Sequence, residues 1–110
     1  MDGTPIAIAS KRATYGGELE SARGFYRVND PAQMANGFSD FRNALGAGSD
    51  YTFNWFYVDE DNIGYQHSCK CPQRATGVDP YMPAWGNGSW DWQGYIALND
   101  QPTSLNPSQG

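Results

Sequence analysis

The chain has 110 residues, 15% of them aromatic, and carries a formal net charge of −5 at pH 7. Its few basic residues form no strong patch, which excludes the electrostatic footprint of a nucleic-acid-binding protein and attachment to an anionic membrane surface. A domain of this length buries only about two-thirds of its unfolded surface, so its stability is marginal if part of its apolar surface contacts other segments.

The first predicted element is a short strand at Pro5–Ser10, where apolar residues dominate the run PIAIAS. No cationic segment precedes a long apolar stretch, and no apolar run approaches the length of a membrane helix. We therefore predict neither a targeting segment nor a membrane-spanning one.

Two helices that form a hairpin are predicted next. The first covers residues 18–28, and the second begins at Asp30, which caps it, with Pro31 at its first position. Gly46 and Gly48 end the second helix. Helical spacing predicts two buried stripes, Leu19, Ala22 and Tyr26 on the first helix and Met34, Phe38, Phe41 and Leu45 on the second.

A β-hairpin follows the helices. The run Tyr51–Val58 carries aromatic residues on both alternating faces, which predicts a strand covered on both sides in a layered sheet. A polar turn leads into the second arm, Ile63–Ser68. Asp59 and Asp61 are similar to the opening of a calcium-binding EF loop, but Ile63 stands where an oxygen ligand belongs, so we predict a solvated turn.

Three residues of types that bind metals or act in catalysis lie at the end of the hairpin. Cys69 and Cys71 are too closely spaced for a zinc knuckle, and only His67 is near them. We interpret the cysteines as two small, semi-buried thiols and His67 as a hydrogen-bonded structural residue.

The run from Arg74 to Gly94 predicts a long loop with a specified path, because its prolines fix φ and its glycines allow positive φ. Its aromatic residues predict either a stacking platform for sugars or peptides, or a loop packed on its own sheet. These residues are Tyr81, Trp85, Trp90 and Trp92, together with Tyr95 just after the run. The last dozen residues are polar and contain proline, and this tail is expected to be loose or to be cut in the middle of an element.

Several spaced motifs carry a family resemblance. The pattern R-x-x-G-x-D-P-x-x-P-x-x-G-x-G-x-x-x-W-x-G and the preceding FNWFYVDEDNIGYQHS resemble the penicillin acylases, which are N-terminal nucleophile hydrolases; RATYGGELES and NPSQG match as well. The resemblance implies an internal fragment of the large (beta) subunit region. It implies an α+β fold, with residues 1–110 as a single partial domain of a four-layer αββα sandwich, in a periplasmic or secreted enzyme.

The resemblance also implies a chemistry. Such enzymes hydrolyse linear amides, including the N-acyl side chains of β-lactams, through an N-terminal serine whose α-amino group is the base. A backbone N–H and an asparagine side chain hold the oxyanion. We expect no catalytic residue within this chain and no cofactor for the chemistry. The implied partners are a small-molecule amide substrate and the remaining segments of an acylase heterodimer, without nucleic acid or membrane.

Three residues take roles from the resemblance. Phe53 and Phe25 match positions that line the acyl side-chain pocket, and Pro80 matches a position whose carbonyl joins a structural calcium in the intact enzyme. Cys69 departs from the family pattern, which more often has glycine there. The alternative function is a stand-alone, aromatic-rich module that binds carbohydrates or peptides.

Overall fold

A computed structural model describes residues 3–46 and 50–109. The fold is α+β, with two α-helices and a small antiparallel sheet. In chain order the elements are α1 (Glu20–Val28), a 3-10 helix (Pro31–Gln33), α2 (Phe38–Gly46), β1 (Phe53–Val58), β2 (Ile63–Ser68), a second 3-10 helix (Leu98–Asp100) and β3 (Thr103–Leu105). Within the described ranges no helix has the length and apolarity needed to cross a membrane.

The predicted β-hairpin is confirmed. β1 and β2 pair antiparallel in a register that runs from Phe53 opposite Ser68 to Val58 opposite Ile63. The backbone N–H of Asp59 donates to the carbonyl of Asn62 at 3.0 Å and closes the turn. Aromatic and β-branched residues make up most of β1 and include Ile63 and Tyr65 of β2, and polar residues with high turn propensity lie between the strands.

The prediction of a loose tail is wrong. β3 adds to the sheet in the order β1-β2-β3, with Gly64 opposite Leu105 and Gln66 opposite Thr103. Just after β3, Asn106 has φ 48 and accepts a hydrogen bond from the Ile63 N–H at 2.9 Å through its side-chain oxygen. These pairings join residues about forty positions apart in the chain, and local sequence does not reveal them.

The first predicted helix is confirmed, but its predicted buried stripe is wrong. Leu19 is 81% exposed and Tyr26 is 69% exposed, and Ala22 is exposed too. The buried positions of α1 are Ser21 and Gly24. These two residues are three apart and share a helix face, so the most buried positions of α1 carry small residues, and the predicted apolar stripe is exposed.

The second predicted helix is broken in two. Asp30 is the predicted cap, and its carboxylate accepts from the Ala32 N–H at 3.1 Å, but it begins only a 3-10 helix. Gly37, with φ 59, separates this turn from α2. The helix ends at Gly46, and the predicted stop at Gly48 lies outside the described residues.

The apolar core lies between α2 and the sheet. Phe41, Ala44 and Leu45 of α2 are buried, and Leu45 is fully enclosed. The sheet approaches so closely that a Cβ placed on Gly64 would lie 2.6 Å from the Phe38 ring. A glycine is therefore required at this point of β2 for the helix to pack.

Only one face of β1 is covered within the described residues, which corrects the prediction of a strand covered on both sides. Phe53, Trp55 and Tyr57 point toward the helices, whereas Phe56 is 79% exposed and Val58 is 76% exposed. Phe56 contacts Tyr65 of β2 on the open face, with ring centroids 5.7 Å apart. The outer face of the hairpin thus presents apolar side chains that residues 3–46 and 50–109 leave uncovered.

The strand predicted at Pro5–Ser10 is not formed. Residues of this segment are exposed, Ile6 by 83% and Ile8 by 85%. An apolar run adopts strand structure when a neighbouring strand supplies hydrogen bonds, and no described strand lies beside this one.

Candidate functional site

An aromatic cluster forms where α1 meets β1. Phe25 of α1 lies edge-on to Phe53 of β1, with ring centroids 5.8 Å apart. Trp55 completes the triangle, 4.9 Å from Phe25 and 5.4 Å from Phe53. Phe53 and Trp55 are two apart on a strand, so both side chains point to the same face. The structure therefore brings together the two residues that the family resemblance assigned to an acyl pocket.

Neighbouring groups hold the cluster in place. The indole N–H of Trp55 donates to the hydroxyl of buried Ser68 at 2.7 Å. Tyr51 extends the cluster on the other side, 6.4 Å from Phe53 between ring centroids. A half-buried indole with a satisfied N–H is a rigid support for the rings packed against it.

An open groove of about 560 Å³ lies beside Phe25. Phe25 remains 45% exposed and Tyr26 stands next to it, so an incoming ring can contact aromatic edges and faces there. The side chain of Asn29 donates to the Phe25 carbonyl at 2.8 Å and closes the end of α1. The groove is lined by Phe25, Tyr26, Asn29, Asp30 and Pro31. It offers apolar contact from Phe25, Tyr26 and Pro31 beside the polar groups of Asn29 and Asp30.

The turn between β1 and β2 is held by hydrogen bonds to the carboxylate of Asp59. The Tyr57 hydroxyl donates to Asp59 at 2.5 Å, and the N–H groups of Asp61 and Asn62 donate to the same carboxylate at 2.9 and 2.7 Å. The hydrogen bond from Tyr57, followed by that from Asp61, lowers the pKa of Asp59. The hydrogen bond to Asp59 in turn raises the pKa of Tyr57. Asp59 thus acts as a turn residue, as the sequence predicted.

Pro80, the predicted calcium-binding position, lies in the long loop on an exposed turn. The preceding Asp79 accepts from the Tyr81 N–H at 2.9 Å, which fixes the turn. Calcium takes about six to eight oxygen ligands. Among residues 3–46 and 50–109, no group of three or more acidic, histidine or cysteine side chains could hold a metal ion. The metal-binding role of Pro80 stays a prediction from the family resemblance.

The aromatic residues of the loop do not form one platform. Tyr81 is 92% exposed and Trp85 is 79% exposed. Trp92 packs edge-on against Tyr95 with centroids 6.3 Å apart, and the Lys11 ammonium lies 4.6 Å from the Trp92 ring. The loop is thus fastened at its base and open at its tip.

The interpretation of the cysteines as free thiols is wrong, because Cys69 and Cys71 form a disulfide. The backbone bends after β2 and brings their Cα atoms within 5.0 Å, which is in the range that a disulfide requires. His67, predicted to be structural, lies with Nδ1 3.3 Å from Oε1 of Gln101.

Two buried glutamines escaped the sequence analysis. Gln66 is fully buried and accepts from the Arg42 guanidinium at 2.7 Å. Gln101 is 6% exposed and donates to the carbonyls of Cys69 and Ile96 at 2.9 and 3.2 Å. Glutamine is usually a surface residue, so nothing in the local sequence marks either side chain as buried.

Comparison with known proteins agrees with the resemblance carried by the motifs. Residues 4–110 match the penicillin amidase family. Penicillin G acylase of Escherichia coli is 43% identical over 60 residues, which are 54% of this chain and 7% of that protein. The solved structure of a thermostable penicillin G acylase from Alcaligenes faecalis superposes with a TM-score of 0.79 and 32% identity, over 91% of this chain and 17% of that one. The alternative of a stand-alone binding module finds no support in these matches. Because the family match extends over nearly all residues, the chain belongs to the penicillin amidase family.

Proposed function

We propose that this chain forms part of the acyl-binding wall of an amide hydrolase of the penicillin acylase type. The substrate class is a linear amide with an apolar acyl group, such as the N-acyl side chain of a β-lactam. The chain spans 7% of the Escherichia coli penicillin G acylase and 17% of the Alcaligenes faecalis one named above, so the activity proposed is that of a larger protein.

The contact between Phe25 and Phe53 is the observation that carries the proposal. Two positions far apart in the sequence, both assigned to one pocket by the family resemblance, meet with ring centroids at 5.8 Å. A groove opens beside Phe25, which is partly exposed. This arrangement supports a role in accepting an aromatic or large apolar group, because apolar sites bind by shape and buried area.

The bond-breaking groups come from elsewhere in the proposed enzyme. An N-terminal serine would attack the amide carbonyl with its α-amino group as base, and an asparagine side chain with a backbone N–H would stabilise the oxyanion. Residues of this chain would place the acyl group so that its carbonyl reaches the serine. Correct placement alone contributes strongly to rate, because a bound substrate reacts in an effectively unimolecular step.

The exposed apolar face of the hairpin supports the finer fold proposal of a four-layer αββα sandwich. Phe56, Val58 and Tyr65 lie on the sheet face opposite the helices, and a second sheet would bury them. The remaining segments of an acylase heterodimer would supply that sheet.

Two further properties belong to the same proposal. Calcium bound in the intact enzyme would take the Pro80 carbonyl as one ligand, and carboxylates from other segments would complete its coordination. The Cys69–Cys71 disulfide supports a periplasmic or secreted location, because disulfides persist in oxidising compartments.

The test uses the full-length enzyme and two amides that differ only in the acyl group, phenylacetyl and acetyl. We expect Phe25→Ala to lower kcat/KM for the phenylacetyl amide by roughly tenfold to a hundredfold and to change that for the acetyl amide little. Phe41→Ala is the matched control, since Phe41 contacts Trp55 but neither pocket residue. Equal losses on both amides in Phe25→Ala would contradict the pocket role.

A further inference from the structure

The Cys69–Cys71 disulfide lies at the base of the long loop. The carbonyl of Cys71 accepts from the Ile96 N–H at 2.9 Å, and Pro72 forms a bridge with Tyr95. The Gln73 N–H donates to the Gly94 carbonyl at 2.9 Å. Residues 71–73 and 93–96 therefore make a short ladder that fastens the two ends of the loop 74–92, and the disulfide braces one side of that ladder.

The ring closed by this disulfide is very small, because the two cysteines are separated by one residue. A small ring constrains the unfolded chain little, so it adds little global stability. The sulfurs also stay near each other after reduction, which favours reoxidation. Cys71 is partly exposed whereas Cys69 is only 7% exposed, so an external thiolate meets the Cys71 sulfur first.

Gln101 is placed to accept a hydrogen bond from the thiol of reduced Cys69. Its amide nitrogen is held by the carbonyls of Cys69 and Ile96, so the side chain keeps its position without the disulfide. Its Oε1 lies 3.5 Å from the Cys69 sulfur. A reduced Cys69 can donate its S–H to this oxygen, so reduction creates no buried, unpaired thiol.

We propose that Cys69 and Cys71 form a reversible thiol–disulfide exchange site for small dithiols, and that its redox state sets how firmly the loop 74–92 is fastened. A thiolate of the dithiol attacks the Cys71 sulfur and the S–S bond breaks. The electron pair leaves on the Cys69 sulfur, which takes a proton from solvent. The second thiol loses its proton and attacks the reagent's own sulfur in the mixed disulfide. Cys71 is released and protonated, and the reagent departs as a cyclic disulfide.

Hydrogen exchange tests the proposal on the full-length protein, with dithiothreitol as the probe. Under native conditions we expect Cys69 and Cys71 to become alkylatable, which mass spectrometry of their peptide reports. The amides of Gln93 and Ile96, which make loop-base hydrogen bonds, should exchange roughly tenfold faster or more. Amides of the β1–β2 pairing should keep their exchange rates.

The double variant Cys69→Ser/Cys71→Ser is the control. It should show the fast exchange at Gln93 and Ile96 with and without dithiothreitol. Alkylation of the wild-type cysteines only after denaturation would overturn the exchange site. Alkylation under native conditions with unchanged exchange at the loop base would overturn the coupling to the loop. Neither outcome depends on acylase activity, so a failure here is distinguishable from a failure of the proposed function.

Discussion

The indole N–H of Trp55 donates to the Ser68 hydroxyl across the β1–β2 hairpin at 2.7 Å. Trp55 also contacts Phe25 and Phe53, and Ser68 lies directly opposite Phe53 in the strand register. The aromatic cluster is therefore built on the hairpin, and its geometry depends on a polar contact between Trp55 and Ser68.

Replacing Ser68 by alanine should destabilise the protein. The variant leaves the indole N–H of a packed tryptophan without this acceptor, which costs about 1–3 kcal/mol. Chemical denaturation measures the loss. Ser68→Thr is the comparison, because it keeps a hydroxyl, although its added methyl must be accommodated in a fully buried position. Equal stability of wild type and Ser68→Ala would show that the indole does not depend on this bond.

Two glycine-to-alanine variants should differ in folding stability, because one glycine is closely packed and the other is not. Gly64→Ala places a Cβ 2.6 Å from the Phe38 ring, so α2 and the sheet must separate, at a cost of about 1–3 kcal/mol. Gly86→Ala meets no atom within 4 Å and has no positive φ, so its effect should stay within about 0.5 kcal/mol. Thermal melts of both variants test the packing. A neutral Gly64→Ala would contradict the close approach of helix and sheet.

Replacing Asn106 by alanine should reduce folding stability more than replacing it by glycine. Both changes remove the side-chain bonds to Ile63 and Asn62, at 2.9 and 2.7 Å. Only alanine also pays for the backbone conformation at φ 48, which costs it about 1–2 kcal/mol relative to glycine. Denaturation midpoints should rank wild type above Asn106→Gly and Asn106→Gly above Asn106→Ala. The reverse order of the two variants would rule out a left-handed residue after β3.

The turn should weaken in acid. The folded state lowers the pKa of Asp59 through the hydrogen bonds from Tyr57, Asp61 and Asn62. A lowered folded pKa gives stability that is present above the unfolded pKa, about 4, and is lost as pH falls through the folded value. Carboxyl chemical shifts in an NMR titration should give a midpoint for Asp59 below the ordinary value of an aspartate carboxyl. Tyr57→Phe should move that midpoint upward, and an unchanged midpoint would contradict the assigned cause.

The hairpin and the site could be predicted to different extents. Turn residues between two runs of strand formers are a local signal, and they marked β1 and β2 correctly. The pairing of β3 depends on residues far away in the chain, and the open face of β1 depends on what covers it, so neither is encoded locally. Gly37 divided a helical pattern whose spacing was otherwise continuous.

The site required a different kind of information. Nothing in the local sequence around Phe25 and Phe53 predicts that they lie in one site, and that prediction came from the family resemblance. The position of Trp55 in the same cluster can be predicted once Phe53 is known, because residues two apart on a strand point to the same face. Ser68 follows only from the register of the hairpin. The disulfide depends on a bend after β2 that two cysteines in a sequence do not specify.

The most direct test of the acyl-pocket proposal is Phe53→Ala in the full-length enzyme, with selectivity and stability measured on the same preparation. A pocket role predicts a loss of about 1–3 kcal/mol in discrimination between phenylacetyl and acetyl amides, from the ratio of their kcat/KM values. A role as ordinary core predicts a loss of about 3–5 kcal/mol in folding free energy with the ratio preserved. A large drop in Tm with unchanged acyl preference would contradict the account, and a changed preference with a modest drop in Tm is the result we predict.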